Sequence, residues 1–311
     1  MSKNEVRTSN TGFELPSLAP RLVMYVQTFT TADNQPLSLL PLLKHDTKVT
    51  HVILAAIHLL TEPGNITLND DSFDASRYDT VWEELQTLQD NGIKVMALLG
   101  GAAAGSYARL NGTDAEFTAY YTPLLTILKE YNFDGLDIDI EEHVPISVPL
   151  RLLNALYRDM GPSFILTMAP LASALSDEDD FNLSGFSYFA LEKLALAPNG
   201  NTSLVSWYNA MFYGGFARNT EFYRSCVDAG WEASRVVLGV LDCPDDGQAN
   251  GFLNFTTLES TIGGLRALYG EFGGVAGWEY HDAGRTDGWR EPWEWVKRIG
   301  DALFVEPDHH L

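Results

Sequence analysis

Three carboxylates stand at every second position near the middle of the chain, at Asp137, Asp139 and Glu141. They alternate with leucine and isoleucine, which is the pattern of a buried strand. Because successive strand side chains point to opposite faces, the three acids share one face, about 6 to 7 Å apart along the strand. Burying a row of acids costs free energy, so the row indicates chemistry. A solvated strand edge is the alternative, and the flanking apolar run argues against it.

The spacing of these acids predicts a division of roles. Neighbouring carboxylates in a low-dielectric site cannot all ionise, so at least one retains its proton near neutral pH. Glu141, at the strand end, is the predicted proton donor, held protonated by Asp139. A divalent-metal site is a further alternative, although hard cations usually take carboxylates from several elements. We therefore expect acid–base catalysis with no metal and no cofactor.

Charge and composition restrict the partners. The 311 residues are 45% hydrophobic, and 20 basic against 42 acidic residues give a net charge of -22. Such a charge repels phosphate backbones and anionic membranes, and no apolar run reaches the length of a membrane span. We expect no nucleic acid and no membrane as partner, and a monomer.

Cysteines and glycosylation motifs bear on the compartment. Cys226 and Cys243 form no metal motif and are expected to be free buried thiols. The polar start is not a signal peptide, so any such peptide has been removed. Five N-glycosylation sequons favour secretion, while a cytoplasmic location stays open; they lie at Asn65, Asn111, Asn182, Asn201 and Asn254.

Apolar runs of strand length alternate with amphipathic runs of helix length along the chain. The strands are predicted at 21–28, 49–58, 93–100, 133–141, 164–169, 204–212, 236–241 and 275–279. The helices are predicted at 78–89, 114–131, 148–159, 220–229, 258–269 and 292–304.

This alternation predicts an α/β fold, a single (β/α)8 TIM barrel over residues 21–305, between an N-terminal tail at 1–20 and a C-terminal tail at 306–311. A doubly wound sheet is the alternative, but no phosphate-binding glycine fingerprint supports it. Active sites of such barrels form at the C-terminal ends of the strands, which is where Glu141 falls.

Other polar, aromatic and glycine residues stand at the predicted strand ends. Each alone is more often core or turn, but together they converge on one barrel mouth. Glycines beside the acids would let a bulky ligand approach, and an indole would give a sugar ring an apolar floor. The mouth therefore favours a carbohydrate; its residues are Tyr25, Gly100, Gly101, Tyr208, Asn209 and Trp278.

With these residues in place, the chain resembles glycoside hydrolase family 18, the chitinase-like barrels. Residues 134–141 match the D-G-x-D-x-D-x-E signature of that family at every fixed position. Asp134 stands an odd number of residues from each of the three acids, so on a strand it points to the opposite face, and it is expected to be structural. Supporting matches are Tyr25, Gly100, Gly101, Met168, Asn209 and Trp278, which the resemblance assigns to substrate binding.

The resemblance implies substrate-assisted retention, in which the substrate's own acetamido oxygen attacks the anomeric carbon. It implies that Glu141 protonates the leaving oxygen and that Asp139 stabilises the oxazolinium ion. Asp137 would share a proton with Asp139, Tyr208 would bond the acetamido oxygen, and Trp278 would lie under the distorted sugar.

Departures from the chitinase pattern refine the expected substrate. Glu142-His143 follows the catalytic Glu where Tyr-Pro is familiar, Leu98 replaces a common Ser, and Trp207 precedes the Tyr-Asn pair. The segment 241–255 is too short for the insertion domain of processive chitinases, and no chitin-binding module is appended. These features look more like the fungal endo-β-N-acetylglucosaminidases of the family.

Three functions therefore stay open. The leading hypothesis is endo-acting hydrolysis of the GlcNAcβ1-4GlcNAc bond in the chitobiose core of N-glycans. An endochitinase would cut the same bond in chitin or chitooligosaccharides. A lectin on this barrel would bind sugar without cutting it, but such proteins usually lack the proton donor, which is present here as Glu141.

Overall fold

The computed structural model describes residues 19–177, 181–247 and 251–305. Within them, eight parallel strands close into a barrel, since the first strand pairs with both the second and the last. A three-residue strand, β3, pairs antiparallel with the end of β2. The strands are β1 (Arg21–Val26), β2 (His51–Leu59), β3 (Ile66–Leu68), β4 (Lys94–Gly101), β5 (Gly135–Ile140), β6 (Ile165–Met168), β7 (Trp207–Met211), β8 (Val236–Leu241) and β9 (Gly274–Trp278).

The helices follow the strands along the chain, and the last helix comes after β9. They are α1 (Pro41–Lys44), α2 (Asp79–Asp90), α3 (Ser106–Leu110), α4 (Asp114–Glu130), α5 (Ser147–Met160), α6 (Ser173–Ser176), α7 (Tyr188–Leu194), α8 (Glu221–Asp228), α9 (Phe255–Leu268) and α10 (Pro292–Leu303). The single (β/α)8 barrel is confirmed. No helix in the described ranges combines the length and apolar character that crossing a membrane requires.

The hydrophobic core has two parts because each barrel strand is buried on both faces. One part fills the barrel interior and contains Val23, Ile53 and Met96. The larger part lies between the strands and the surrounding helices, where the even-numbered apolar residues of β5 pack. This separation fixes the faces: on β5, the odd-numbered positions, where Asp137 and Asp139 stand, point into the barrel.

The amino end of the barrel is filled by a polar and aromatic cluster. The Arg21 guanidinium lies 4.3 Å from the centre of the Trp207 ring, and the His51 ring meets the edge of the same indole at 4.9 Å. Burial lowers the pKa of His51 to about 3, so its imidazole is neutral. The amino end is therefore closed, and ligand access is left to the carboxyl ends of the strands.

Both predicted tails lie mostly outside the described residues, at 1–18 and 306–311. The boundaries of the predicted catalytic domain at residues 21 and 305 therefore stay predictions. Cys226 and Cys243 are free and buried, as expected. Of the five sequon asparagines, four are exposed, at Asn65, Asn111, Asn201 and Asn254, and Asn182 is half-buried.

Candidate active site

The row of acids lies on β5, in the centre of the barrel mouth. Asp137 is fully buried, Asp139 is 6% exposed, and Glu141, just after the strand ends, is half-buried. The acids therefore run from the barrel interior towards the opening, with Glu141 outermost. This gradient of burial places the predicted proton donor where a substrate can reach it.

Asp137 is held by hydrogen bonds from side chains on three other strands, β1, β6 and β7. Its Oδ2 accepts from the Tyr25 hydroxyl at 2.7 Å, and its Oδ1 accepts from Thr167 Oγ1 at 2.5 Å and from Asn209 Nδ2 at 3.2 Å. Burial raises the pKa of Asp137, and these three donors oppose that rise because they stabilise the charged form. Asp137 is thus a fixed anchor below the other two acids.

Asp139 has no such support. Its Oδ1 is buried without a hydrogen-bond partner among the described residues, and the proton that Asp137 is expected to share with Asp139 stays a prediction. Burial raises the pKa of Asp139 well above its usual range, and repulsion from Glu141 and Asp137 adds to the rise. Burial also raises the pKa of Glu141. One proton is therefore retained between Asp139 and Glu141 near neutral pH.

A cleft of about 450 Å³ opens over Asp139 and Glu141. Gly100 and Gly101, at the end of β4, form part of its wall. Gly100 has a positive φ of 101°, and a Cβ there would stand 2.2 Å from the backbone oxygen of Asp139. These glycines allow the two strands, and a ligand beside them, to approach closely.

A small recess lies at the floor of this cleft, beside Asp139. Tyr25, Asn209 and Trp278 line it, and the Tyr25 and Trp278 ring centres are 5.4 Å apart. Trp278 also lines the cleft above. The structure therefore brings these three predicted residues together beside the acids, and Trp278 lies where an indole could support a sugar ring.

Tyr208 is not in the site, and the expectation for it is wrong. Its fully buried ring belongs to the core between strands and helices, and its hydroxyl donates to Glu192 Oε2 at 2.6 Å. Arg235 pairs with the same Glu192 carboxylate. The reason is strand geometry: Asn209 points into the barrel, so its neighbour Tyr208 must point out.

Tyr213 takes the position expected for Tyr208. It follows β7 by two residues and lines both the recess and the cleft, with Asp139 and Trp278. Burial raises the pKa of its phenol well above the usual range, with a further contribution from Asp139, so the hydroxyl stays protonated and able to donate. The inward-facing positions after Asn209 are residues 211 and 213, so strand alternation in the sequence could have identified Tyr213.

Met168 is also misplaced by the prediction. It is fully buried in the outer core, away from the recess. The inward positions of β6 are taken by Thr167, which binds Asp137, and by Ala169 just after the strand, which lines the recess. The same alternation rule excludes Met168 from the site.

Asp134 and Glu142, which flank the acids, position backbone segments. Asp134 Oδ2 accepts from Val95 N at 2.9 Å, which ties the start of β5 to β4, and its structural role is confirmed. Glu142 Oε1 accepts from Gly105 N and Tyr107 N at 2.8 and 2.9 Å, at the first turn of α3. The unusual residue after Glu141 therefore holds the loop that borders the cleft.

One group of side chains in the described part of the chain has donor atoms close enough for a metal ion. Cys243, Asp245 and Asp282 place these atoms within 4.8 Å of one another. The Arg285 guanidinium contacts all three side chains, at 3.7 Å from Cys243 Sγ and 3.2 Å from Asp282 Oδ2. Arg285 thus already supplies the positive charge there, and the group lies outside the acid row.

The model of one protein family matches this chain. The model for glycosyl hydrolases family 18 matches residues 21–226, more than half of the 311 residues. The chain belongs to glycosyl hydrolases family 18. The protein is accordingly a glycosidase, and its acid row is the segment that carries the family's signature.

Within glycosyl hydrolases family 18, both chitinases and an endo-β-N-acetylglucosaminidase are similar to the chain. The chitinase ChiC from Aspergillus fumigatus is 40% identical, with a TM-score of 0.79 and coverage of 90% of this chain and 98% of that one. A fungal endo-β-N-acetylglucosaminidase is 36% identical, with a TM-score of 0.81 and coverage of 92% and 98%. Endochitinase 4 from Metarhizium anisopliae is 27% identical over 239 residues, 72% of this chain and 80% of its own length.

Proposed function

We propose that this glycosidase cleaves the GlcNAcβ1-4GlcNAc bond in the chitobiose core of N-glycans. The observation that carries the proposal is the shape of the barrel mouth, where a cleft of about 450 Å³ is flanked by two further recesses of about 260 and 480 Å³. Several recesses side by side suit a branched ligand better than a single long groove.

The proposed mechanism uses the geometry of the acid row. Glu141 protonates the leaving glycosidic oxygen and afterwards takes a proton from water, and its raised pKa suits both steps. Asp139, which has an unpartnered oxygen, accepts from the acetamido N–H of the substrate and stabilises the oxazolinium ion. Asp137 keeps the floor of the site fixed.

Tyr213 and Trp278 complete the proposed site from the opposite strands. The Tyr213 hydroxyl donates to the acetamido oxygen, the role first expected of Tyr208. Trp278 lies under the sugar that becomes distorted at the reacting bond. Gly100 and Gly101 leave room for the sugar beside the acids.

An endochitinase is the second candidate, supported by the identity to the Aspergillus fumigatus chitinase and to curated endochitinases. An endochitinase cleaves the same GlcNAcβ1-4GlcNAc bond by the same chemistry, but in a linear polymer. The two functions differ in what surrounds the reacting disaccharide, since mannose branches would contact the flanking recesses and a linear chain would not.

A competition assay separates them. A high-mannose glycoprotein, a core-fucosylated glycopeptide and chitin oligomers are incubated with the protein in parallel, and the products are identified by mass. We expect kcat/KM on an N-glycan to exceed that on a chitin tetramer by at least about tenfold, roughly 1.4 kcal/mol of transition-state binding. Faster cleavage of the tetramer or pentamer than of any N-glycan would establish the endochitinase instead.

A further inference from the structure

A groove of about 480 Å³ lies beside the catalytic cleft, between the loops that follow β1 and β9. It is called the rim groove here, and the residues that matter for its chemistry are Gln35, His281, Asp282, Trp289, Arg290 and Trp293. None of them lines the cleft over Glu141. The rim groove is therefore a separate site on the same face of the barrel.

Along the chain, one residue separates the two sites after β9, and three residues, 28–30, separate them after β1, where Gln27 lines the cleft and Thr31 lines the groove. Trp278 lines the cleft and Tyr280 lines the rim groove. Glu279, between them, accepts from Gln27 N and Thr28 N at 2.7 and 2.8 Å. A branch leaving a sugar held over Trp278 would thus reach the rim groove by crossing these residues.

At the rim groove, the buried His281 Nδ1 has no hydrogen-bond partner among the described residues. Asp282 differs, because its carboxylate already interacts with Arg285, Cys243 and Asp246. Buried polar atoms are normally hydrogen-bonded, so His281 Nδ1 indicates that a ligand supplies the missing bond. A hydroxyl group can either donate to or accept from an imidazole nitrogen.

Aromatic side chains give the groove the apolar surface that a sugar ring requires. Trp289 and Trp293 are half-buried and held in place by packing. Trp293 stacks on His45 with ring centres 3.5 Å apart and planes 6° apart, and Trp289 meets the edge of Phe255 at 5.3 Å. Fixed indoles offer C–H contacts to a pyranose at little cost in side-chain entropy.

The charges of the groove favour a neutral ligand. Arg285 and Arg290 line it together with Asp33, Asp282 and Glu291, so both signs are present. An anionic ligand would meet three carboxylates, and a cationic ligand would meet two guanidinium groups. The hydroxyl groups of a neutral sugar can hydrogen-bond both to the carboxylates and to the guanidinium groups.

We propose that the rim groove binds a neutral hexose of a substrate branch, a mannose arm of the N-glycan, while the reacting disaccharide occupies the cleft. This inference rests on the proposed function, because a linear chitin chain has no such arm. The groove would lower KM for branched glycans and leave the chemical step unchanged, since it does not touch the reacting atoms.

The test compares one glycopeptide carrying its full set of mannose arms with the same glycopeptide trimmed to a single mannose. We expect Trp293→Ala and His281→Ala to lower kcat/KM on the full glycan by about tenfold, a change typical of one lost subsite contact of roughly 1.4 kcal/mol. The loss should lie in KM, and the trimmed glycan should be cleaved as before. Trp82→Ala is the matched control, because it removes another half-buried indole, on α2, that lines neither the rim groove nor the cleft.

Direct binding gives a second readout that does not depend on cleavage. Mannotriose is titrated against wild type and against both groove variants, each shown to be folded by its melting temperature. Saturable binding by wild type that the variants lose supports the groove. Equal effects of the variants on full and trimmed glycans would overturn it.

The two proposals fail in different ways. If wild type releases no N-glycan at all, the proposed function is wrong, and mannotriose binding then decides the rim groove alone. Absence of that binding would overturn the groove in this case. Cleavage of N-glycans with an unchanged ratio between the two glycopeptides would reject the groove and keep the function.

Discussion

Glu141, the outermost acid of the row, is half-buried at the edge of the cleft. Glu141→Gln keeps the shape of the side chain and removes the transferable proton. We expect the variant to fold and bind sugar as wild type does and to lose about 10²- to 10⁴-fold in kcat. Turnover of an unactivated glycan, measured alongside the melting temperature, checks this. Activity near the wild-type value would move the proton donor elsewhere.

The two tyrosines near the end of β7 form a matched pair for substitution. Tyr213→Phe removes the hydroxyl that faces Asp139, and we expect about 10²- to 10³-fold loss in kcat, as for other lost donors to a developing charge. Tyr208→Phe removes the bond to Glu192 behind the barrel and should change stability alone.

Kinetics and unfolding midpoints of both tyrosine variants distinguish these effects. A selective kinetic loss in Tyr208→Phe, with Tyr213→Phe unaffected, would restore the first assignment and contradict the described geometry. A stability loss of about 0.5 to 1.5 kcal/mol in Tyr208→Phe is expected for one internal hydrogen bond.

At the residue scale, the sequence predicted the acids well and the aromatic partners less well. Asp137, Asp139 and Glu141 were predictable because strand alternation and burial cost act on the same short segment. Tyr208 and Met168 were misplaced because each is the strand neighbour of an inward-facing residue, Asn209 or Thr167, and so points out of the barrel, which a motif match alone does not reveal.

At the element scale, the eight barrel strands were predictable, since each is a continuous apolar run buried on both faces. The short elements were not. α3 depends on Glu142, which accepts from Gly105 N and Tyr107 N across 35 or more residues of sequence. β3 is three residues long and exists through its pairing with β2, so local periodicity cannot reveal it.

Asp134 provides a test at this scale, because it joins β5 to β4 without touching the cleft. Its carboxylate accepts from Val95 N, Gln89 Nε2 and Lys94 Nζ. We expect Asp134→Ala to lower the free energy of unfolding by about 1 to 3 kcal/mol, mainly through the unpaired Val95 N–H.

Denaturant unfolding measures the effect of Asp134→Ala, and Asp71→Ala is its control. Asp71 pairs with Arg77 on the surface at 2.8 Å, with both side chains more than 40% exposed, and such pairs contribute less than about 1 kcal/mol. If both variants lost the same free energy of unfolding, Asp134 would contribute no more to stability than an exposed surface acid.

At the scale of the whole molecule, buried acids make stability depend on pH. Burial, with repulsion from Asp282, raises the pKa of Asp246 to about 8, and burial also raises the pKa of Asp139 and Asp242 well above the usual range. A carboxyl with a raised folded-state pKa binds a proton that the unfolded chain has already released. Stability must therefore fall as pH rises from about 4 towards about 8.

Melting temperatures between pH 5 and pH 9 test this expectation, and Asp246→Asn identifies one source. The amide keeps the acceptor for Cys243 N and Glu279 N and does not titrate, so the decline above pH 5 should become shallower. Asp90→Asn, an exposed change on α2, should leave the slope as it is. A wild-type melting temperature that rises across this range would contradict the described burial.

Glu142 accepts hydrogen bonds from the first turn of α3, so the loop that borders the cleft is tied to the residue next to the proton donor Glu141. The loop through Ala102 and Ala103 cannot swing outward without pulling on the residue next to Glu141. This border has its shape before a ligand binds, so it selects ligands without a loop closure. Turnover should then be governed by bond breaking and product departure, and glycans that do not fit should fail at first encounter.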